Sequence, residues 1–285
     1  MPCRCILVPT GPGIDAGHRL EAAVRLAGRT HAHVEVLFVR PDAKVLYASL
    51  PEVLQAAGVT AESIERDNIE SASRACATLE AWCAARDLPM SPDDRLDATF
   101  ASWREAIGEV STIVAAAGRV SDLIVVDRPL WTDPFVVEAF DAAVFASGRP
   151  TLVVGDRVPD DLLRHVMIAW NGSLEGARAV AQAMPLLQEA AHVTIFTAPG
   201  AQPARADLSD LGQYLRWHGV VARPAVAAPD DAVPVGEALL TVCSQENASL
   251  LVMGAYTHSR LRQLLLGGVT RHVLDHAPMP VLMAH

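Results

Sequence analysis

Lysine is almost absent from this chain: Lys44 is the one lysine among 285 residues. A Walker-type phosphate loop needs a lysine directly after its glycines, and no such motif occurs. The Gly-x-Ser-x-Gly nucleophile elbow is missing, and so is the Gly-x-Gly-x-x-Gly dinucleotide fingerprint after the first predicted strand. The sequence therefore argues against a P-loop NTPase, an α/β-hydrolase and a dinucleotide-dependent oxidoreductase.

Long hydrophobic runs are missing as well, because no apolar stretch approaches the roughly 18 residues that a membrane span needs. The N-terminal Met-Pro-Cys-Arg-Cys leads straight into a strand pattern, so we expect a cytoplasmic protein without a signal peptide or membrane partner. The five cysteines are an odd number and fit reduced thiols. The net charge of −10 argues against a nucleic-acid partner, which would favour a basic surface.

The chain consists of two consecutive halves with the same pattern. Each half alternates short apolar strands with segments of helical periodicity four times, and then ends in a final strand. Such alternation predicts an α/β protein with open parallel sheets and right-handed crossovers. The domain boundaries that we expect are residues 1–155 and 164–285, joined by a polar, proline-containing linker.

Several local features of this interpretation are tested by the structure. We expect a strand over Arg95–Ala101 followed by a helix over Ala106–Ala117. Residues 42–60 read as a long connection, with Lys44 in a loop and about one helical turn. Pro185 is expected to kink or end its helix, because proline lacks the N–H that a helix interior uses.

The final strands of the two halves predict how the halves associate. Thr151–Val154 and Val281–Ala284 are both apolar and would otherwise be exposed sheet edges, which proteins avoid. We expect these strands to meet, so that the two halves form a pseudo-twofold pair within one chain.

The strongest motif lies between Ala248 and the C-terminal His285. An apolar run ends at Gly254, a Gly267-Gly268 pair follows, and Val269-Thr270 begins a helical segment before the last strand. A helix start presents free N–H groups and the positive end of a dipole, and glycines let an anion approach the backbone. This order indicates a phosphate site in the second half.

That stretch resembles the C-terminal signature of the universal stress protein family, and the similarity between the halves indicates the tandem type of that family. The resemblance implies two Rossmann-like domains related to the adenine nucleotide alpha hydrolase fold. Two positions depart from the family pattern, since Thr257 replaces its middle glycine and Gly268 replaces a serine or threonine. The resemblance implies a stress-response regulatory protein that binds ATP or AMP, with Mg²⁺ as the one metal expected.

The first half has lost this signature, so we expect the nucleotide in the second half alone. Asp127 replaces the glycine that ends the fourth strand, and a carboxylate there would repel a phosphate. Family members that bind ATP carry an aspartate after the first strand, where this chain has Gly11 in the first half and Asn171 in the second. An asparagine can still hydrogen-bond a ribose or base edge, although more weakly than a charged acceptor.

The resemblance, carried onto this sequence, gives a set of candidate nucleotide-binding residues. They are Ala169, Trp170, Asn171, Met253, Gly254, Thr257, Gly267, Gly268, Val269 and Thr270.

Three functions fit the sequence. The first is nucleotide-dependent regulation through a protein partner that the sequence does not identify, with further homo-oligomerisation left open. The second is an interaction scaffold of the same fold that has lost the nucleotide. The third, an enzyme acting on an adenylate, is not expected, because His258 and Ser259 have no third group to orient them for catalysis.

Overall fold

The computed structural model describes residues 3–90, 98–129, 133–198, 208–226, 233–255 and 268–285. The first half contains, in chain order, β1 (Cys5–Thr10), α1 (Gly17–Thr30), β2 (His33–Arg40), α2 (Ala43–Ser49), α3 (Glu52–Ala56), α4 (Ala61–Ala84), β3 (Phe100–Ile107), α5 (Val110–Arg119), β4 (Leu123–Asp127), α6 (Pro134–Ala146) and β5 (Thr151–Val154). The second half contains β6 (His165–Ala169), α7 (Leu174–Glu189), β7 (His192–Thr197), α8 (Leu208–Trp217), β8 (Ala222–Val226), α9 (Val235–Gln245), β9 (Leu250–Gly254), α10 (Val269–His276) and β10 (Val281–Ala284).

The strands form one continuous sheet in the order β3-β2-β1-β4-β5-β10-β9-β6-β7-β8. Within each half every neighbouring pair of strands is parallel. The second half repeats the strand order of the first half. In each half the order along the sheet reverses direction once, between β1 and β4 and between β6 and β9. The predicted α/β fold is therefore confirmed.

The halves join through their last strands, as predicted. β5 and β10 pair antiparallel, with Leu152 opposite Leu282 and Val153 opposite Val281. These side chains are at most 2% exposed, so the junction of the two halves is as deeply buried as the core of either half. An antiparallel pair at this position gives the pseudo-twofold arrangement, and neither β5 nor β10 remains as a sheet edge.

The core has two layers, one on each face of the sheet, and both layers run through the two halves. Helices α1, α4, α7 and α8 bury their apolar residues on one face. Helices α5, α6, α9 and α10 cover the other face. Because the short apolar strands are covered on both faces, nearly all their side chains are buried, which explains their unbroken hydrophobic runs.

Three local predictions are wrong. The third strand is Phe100–Ile107 rather than Arg95–Ala101, because its eight residues pair with the full length of β2; residues 95–97 lie outside the described part of the chain. The following helix starts at Val110, since Ala106 is still paired within the sheet. As an edge strand, β3 lacks the continuous burial that marks the other strands in the sequence.

The third error concerns the connection after β2, and Pro185 departs from its prediction in part. Residues 42–60 hold two short helices, and Lys44 lies in the first of them, whose N-terminus is capped by the Asp42 carboxylate. Pro185 lies inside α7, which continues to Glu189, so the proline does not end the helix; a kink at Pro185 stays a prediction. Packing of Met184, Leu186 and Leu187 into the core holds this segment helical although the proline removes one helical hydrogen bond.

Two features that would bear on function are absent from the described residues. Within them, no helix is long and apolar enough to cross a membrane. The same ranges hold no group of three His, Cys, Asp or Glu side chains that could bind a metal ion. All five cysteines are free thiols.

Candidate functional site

The candidate site lies where β6 and β9 run side by side at the reversal of strand order in the second half. Ala169 and Met253 are register partners at the ends of these strands. Trp170 and Asn171 follow β6 directly, and Gly254 is the last residue of β9. Ligands of open parallel sheets bind in the crevice outside the carboxyl ends of the strands at such a reversal point.

Gly254 allows an unusually close approach between β9 and the first turn of α7. A Cβ atom at Gly254 would lie 2.6 Å from the backbone nitrogen of Gly176 and 2.7 Å from the carbonyl carbon of Glu175. These are backbone atoms, which cannot move aside without shifting α7. The glycine that the sequence analysis assigned to phosphate approach is therefore required by helix–strand packing as well.

A network of turn hydrogen bonds fixes Asn171. Its Oδ1 accepts from the Ser173 N–H at 3.1 Å, and the Ser173 hydroxyl accepts from the Gly176 N–H at 3.0 Å to cap α7. Asn171 thus points its oxygen into the turn that starts the helix. Its predicted contact with a ribose or base stays a prediction.

Trp170 sits between the site and the core. Its backbone N–H donates to the Phe196 carbonyl at 2.8 Å, and its ring is half-buried against the α7 face of the sheet. The indole Nε1 is buried and has no hydrogen-bond partner in the described structure. An indole N–H normally has an acceptor when it is buried, and the described residues supply none for Trp170.

The second part of the site is the start of α10. Gly268 is the N-cap residue, with φ −79° and ψ 164°, and a Cβ atom added there would meet nothing within 4 Å. Within the described part of the chain, no side-chain hydrogen bond caps this helix at Gly268. Val269 is 37% exposed, whereas Thr270 is only 9% exposed.

The topology brings the start of α10 to the same edge of the sheet. This helix leads into β10, which is parallel to β9, so its C-terminal end lies near the amino ends of these strands and its N-terminus near their carboxyl ends. Eight of the ten predicted site residues therefore lie at one edge of the second half. The other two, Thr257 and Gly267, lie outside the described residues.

The matching place in the first half is filled by the protein itself. Equal strand registers make Asp127 the equivalent of Gly254, and equal distances from the helix N-caps make Arg19 the equivalent of Gly176. Asp127 Oδ2 and Arg19 Nε form an ion pair at 2.9 Å, and the Arg19 side chain is 2% exposed. Arg19 also donates to the carbonyls of Pro9 and Asp15.

Burial shapes the electrostatics of this ion pair. Desolvation raises the pKa of the Asp127 carboxyl, and the guanidinium of Arg19 partly offsets that rise. Desolvation also lowers the pKa of Arg19, against the attraction of Asp127. An anionic ligand here would have to displace Asp127 from its one guanidinium partner, so the ion pair closes the site to phosphates.

An aromatic ring closes the other side of the first-half site. A Cβ atom at Gly11, the equivalent of Asn171, would lie 2.6 Å from the ring of Phe135 at the start of α6. Sequence reasoning identified Asp127 but missed Arg19 and Phe135. Aligning the helix starts of the two halves would have shown an arginine where the second half has a glycine.

Comparisons with known proteins agree with this architecture. The model of the universal stress protein family matches residues 163–285. A universal stress protein from Archaeoglobus fulgidus is 15% identical with a TM-score of 0.71, and the match covers 98% of this chain and 95% of that one. A putative universal stress protein from Pseudomonas aeruginosa is 17% identical with a TM-score of 0.53, over 99% of this chain and 93% of that one.

A shorter structure matches part of the chain. It is a universal stress protein in complex with cAMP, 28% identical, with a TM-score of 0.35 over 43% of this chain and 96% of that one. No curated protein matches the sequence.

Proposed function

Because residues 163–285 match the model of the universal stress protein family, we propose that this chain binds an adenine nucleotide, ATP or AMP, in its second half. In this proposal the chain is a cytoplasmic stress-response regulator, and the bound nucleotide changes its affinity for a protein partner. It acts by binding and not by catalysis.

The open backbone at Gly268 carries the proposal. Among the described residues, no side-chain hydrogen bond caps α10 at Gly268, and a Cβ atom added to Gly268 would meet no atom within 4 Å. A phosphate could accept from the N–H groups of Gly268, Val269 and Thr270 and gain from the positive end of the helix dipole. In the first half, by contrast, the Asp133 carboxylate caps the matching helix.

The adenosine would lie at the carboxyl end of β6. Ala169 and Trp170 would supply backbone and ring surface, and the buried, unpartnered indole N–H of Trp170 would donate to an acceptor on the nucleotide. Asn171 would contact the ribose or base edge through the part of its side chain not used by Ser173. Met253 is 5% exposed, so it would contribute through its backbone.

The phosphates would extend from Gly254 toward the start of α10. The family signature adds Thr257 and Gly267 to this part of the site. A threonine in place of a glycine would narrow the approach, which would favour AMP over the longer phosphate chain of ATP. Mg²⁺ would accompany ATP through its phosphates.

In this proposal the first half has a structural role and does not bind a second nucleotide. Its ion pair between Arg19 and Asp127 and the ring of Phe135 occupy the place where a ligand would lie. The stoichiometry expected is therefore one nucleotide per chain.

Two measurements on the full-length protein test the proposal. Mass spectrometry of small molecules released by denaturing the freshly purified protein should detect an adenine nucleotide. Calorimetric titration with ATP, AMP and cAMP should give one site per chain. We include cAMP because a universal stress protein that matches part of this chain was solved in complex with it. No released nucleotide and no binding of any of the three would reject the proposal and favour the interaction scaffold.

A further inference from the structure

A cavity of about 330 Å³ lies between the two halves, and none of the candidate nucleotide-binding residues lines it. Its apolar floor belongs to the sheet face that α1 and α7 cover, and consists of Cys3, Leu123, Met184 and Leu282. Ligand pockets of proteins span about 300–1,000 Å³, so this cavity fits a ligand smaller than a nucleotide.

Two opposite charges of the first half line the cavity without pairing. Asp122 stands directly before β4 and Arg149 just before β5, on neighbouring strands, and no ion pair joins them in the described structure. Backbone contacts hold each charge in place. Asp122 Oδ2 accepts from the N–H groups of Arg4 and Cys5 at 2.8 and 3.0 Å, and Arg149 Nη2 donates to the Arg119 carbonyl at 2.9 Å.

These contacts leave one atom of each charged group for a ligand. Within the described residues, Asp122 Oδ1 and Arg149 Nη1 make no hydrogen bond. A carboxylate and a guanidinium fixed near each other but unpaired present an acceptor and a donor for a molecule that carries both charges. Charge-assisted hydrogen bonds of this kind are the stronger ones in proteins.

The second half supplies an aromatic and polar wall. The rings of Tyr214 and His218 lie with their centroids 4.7 Å apart, and both residues line the cavity. Gln182 donates from its amide nitrogen to the Gly148 carbonyl at 3.3 Å, which ties α7 to the first half beside the cavity. The cavity thus has contributions from both halves.

The pseudo-twofold symmetry relates this cavity to a position in the first half that the linker between the halves fills. Arg25 of α1 is the equivalent of Gln182, because each lies nine residues after the N-cap of its helix. Arg25 donates to the carbonyls of Val158 and Pro159 and pairs with Asp160 at 3.3 Å, so the linker between the halves occupies that side. On the Gln182 side the equivalent space is the open cavity.

We propose that this cavity binds a small zwitterion of the amino-acid type with an apolar or aromatic side group. The ligand's carboxylate contacts Arg149, its ammonium group contacts Asp122, and its side group lies on the apolar floor beside Tyr214. Because both halves line the cavity, the ligand stabilises their association. This site is independent of the proposed nucleotide site.

The test uses the full-length protein and calorimetric titration with L-phenylalanine and L-leucine. Each is compared with its N-acetyl derivative, which lacks the ammonium group, and its amide, which lacks the carboxylate. We expect the zwitterions to bind at least about ten-fold more tightly than either derivative, since each derivative loses one charged contact. Saturating ATP should leave this affinity unchanged.

Variants identify the site. Arg149→Met and Asp122→Asn should each weaken binding of the zwitterion at least about ten-fold, whereas Arg216→Met on the exposed part of α8 should not. Asn keeps an acceptor for the Arg4 and Cys5 N–H groups, so Asp122→Asn keeps the test valid if Arg149→Met fails to fold. Failure of the parent to bind either amino acid at millimolar concentration would overturn the proposal. Binding unaffected by Asp122→Asn, or equally tight binding of the N-acetyl derivatives and the amides, would overturn it too.

Discussion

Gly254 and Gly176 are packed so closely that a Cβ atom on Gly254 would lie 2.6 Å from the Gly176 nitrogen. In the first half the same two positions hold Asp127 and Arg19, joined by an ion pair at 2.9 Å. The two halves therefore pack the equivalent strand and helix together in two different ways. The glycine pair places no charged side chain at these two positions, whereas the ion pair fills both with charged side chains.

Replacing Gly254 by alanine should destabilise the protein by about 1–3 kcal/mol, because the added methyl group forces α7 away from β9. Urea unfolding followed by circular dichroism measures this loss. Gly28→Ala is the matched control. Gly28 lies in α1 with open space around its Cβ position, so alanine should stabilise the protein by about 0.5–1 kcal/mol. A loss at position 254 no larger than about 0.3 kcal/mol would contradict the close packing.

Arg19→Met should cost about 3–5 kcal/mol at pH 7, because it leaves the partly buried Asp127 carboxylate without its partner. Burial already raises the pKa of Asp127, and loss of Arg19 removes the main opposing influence. A carboxyl whose folded pKa is raised stabilises the protein below its unfolded pKa, and this contribution is lost as pH rises through the folded pKa.

The variant should therefore recover part of its lost stability when the pH falls from 7 to about 4, measured by urea unfolding at both values. The recovery is partial, because Arg19 also bonds the carbonyls of Pro9 and Asp15. The double variant Arg19→Met, Asp127→Asn should show a smaller loss at pH 7 and little dependence on pH. A loss for Arg19→Met that is the same at both pH values would exclude the buried carboxylate as its cause.

The pairing of β5 with β10 predicts the behaviour of the isolated second half. A fragment of residues 156–285 exposes β10, whose four residues are fully buried in the whole chain. We expect the fragment to dimerise by pairing β10 with its own copy, since an unpaired apolar edge strand seeks a partner. Sedimentation velocity should show dimers at micromolar concentration. A folded fragment that remains monomeric would mean that β10 needs no partner strand.

The sequence predicted the fold because the buried strands and helix faces have strong, regular patterns. The meeting of Thr151–Val154 with Val281–Ala284 followed from their apolar character at a sheet edge, and it is confirmed. Edge strand β3 was misplaced because it is only partly buried and carries a weak pattern. Pro185 does not end α7, because the packing of its neighbours outweighs the proline's local preference.

The candidate site was only partly predictable. Glycines and the helix start are visible in the sequence because they form a motif, and the structure brings Gly254 and Gly268 to one edge of the second half. The double role of Gly254 was not visible, because contact with Gly176 depends on the angle between α7 and β9. The ion pair of Arg19 with Asp127 joins residues more than a hundred positions apart, so no local pattern indicates it.

The most direct test of nucleotide binding in the second half compares Gly268→Asp with Gly268→Asn in calorimetric titrations with AMP and ATP. A Cβ atom at position 268 would meet none of the described atoms within 4 Å, and both side chains cap helices well. The two variants differ by one negative charge. We predict that Gly268→Asp weakens binding at least about ten-fold more than Gly268→Asn, because its carboxylate lies where the phosphates would bind. Equal affinities for the two variants and the parent would contradict a phosphate site at the start of α10.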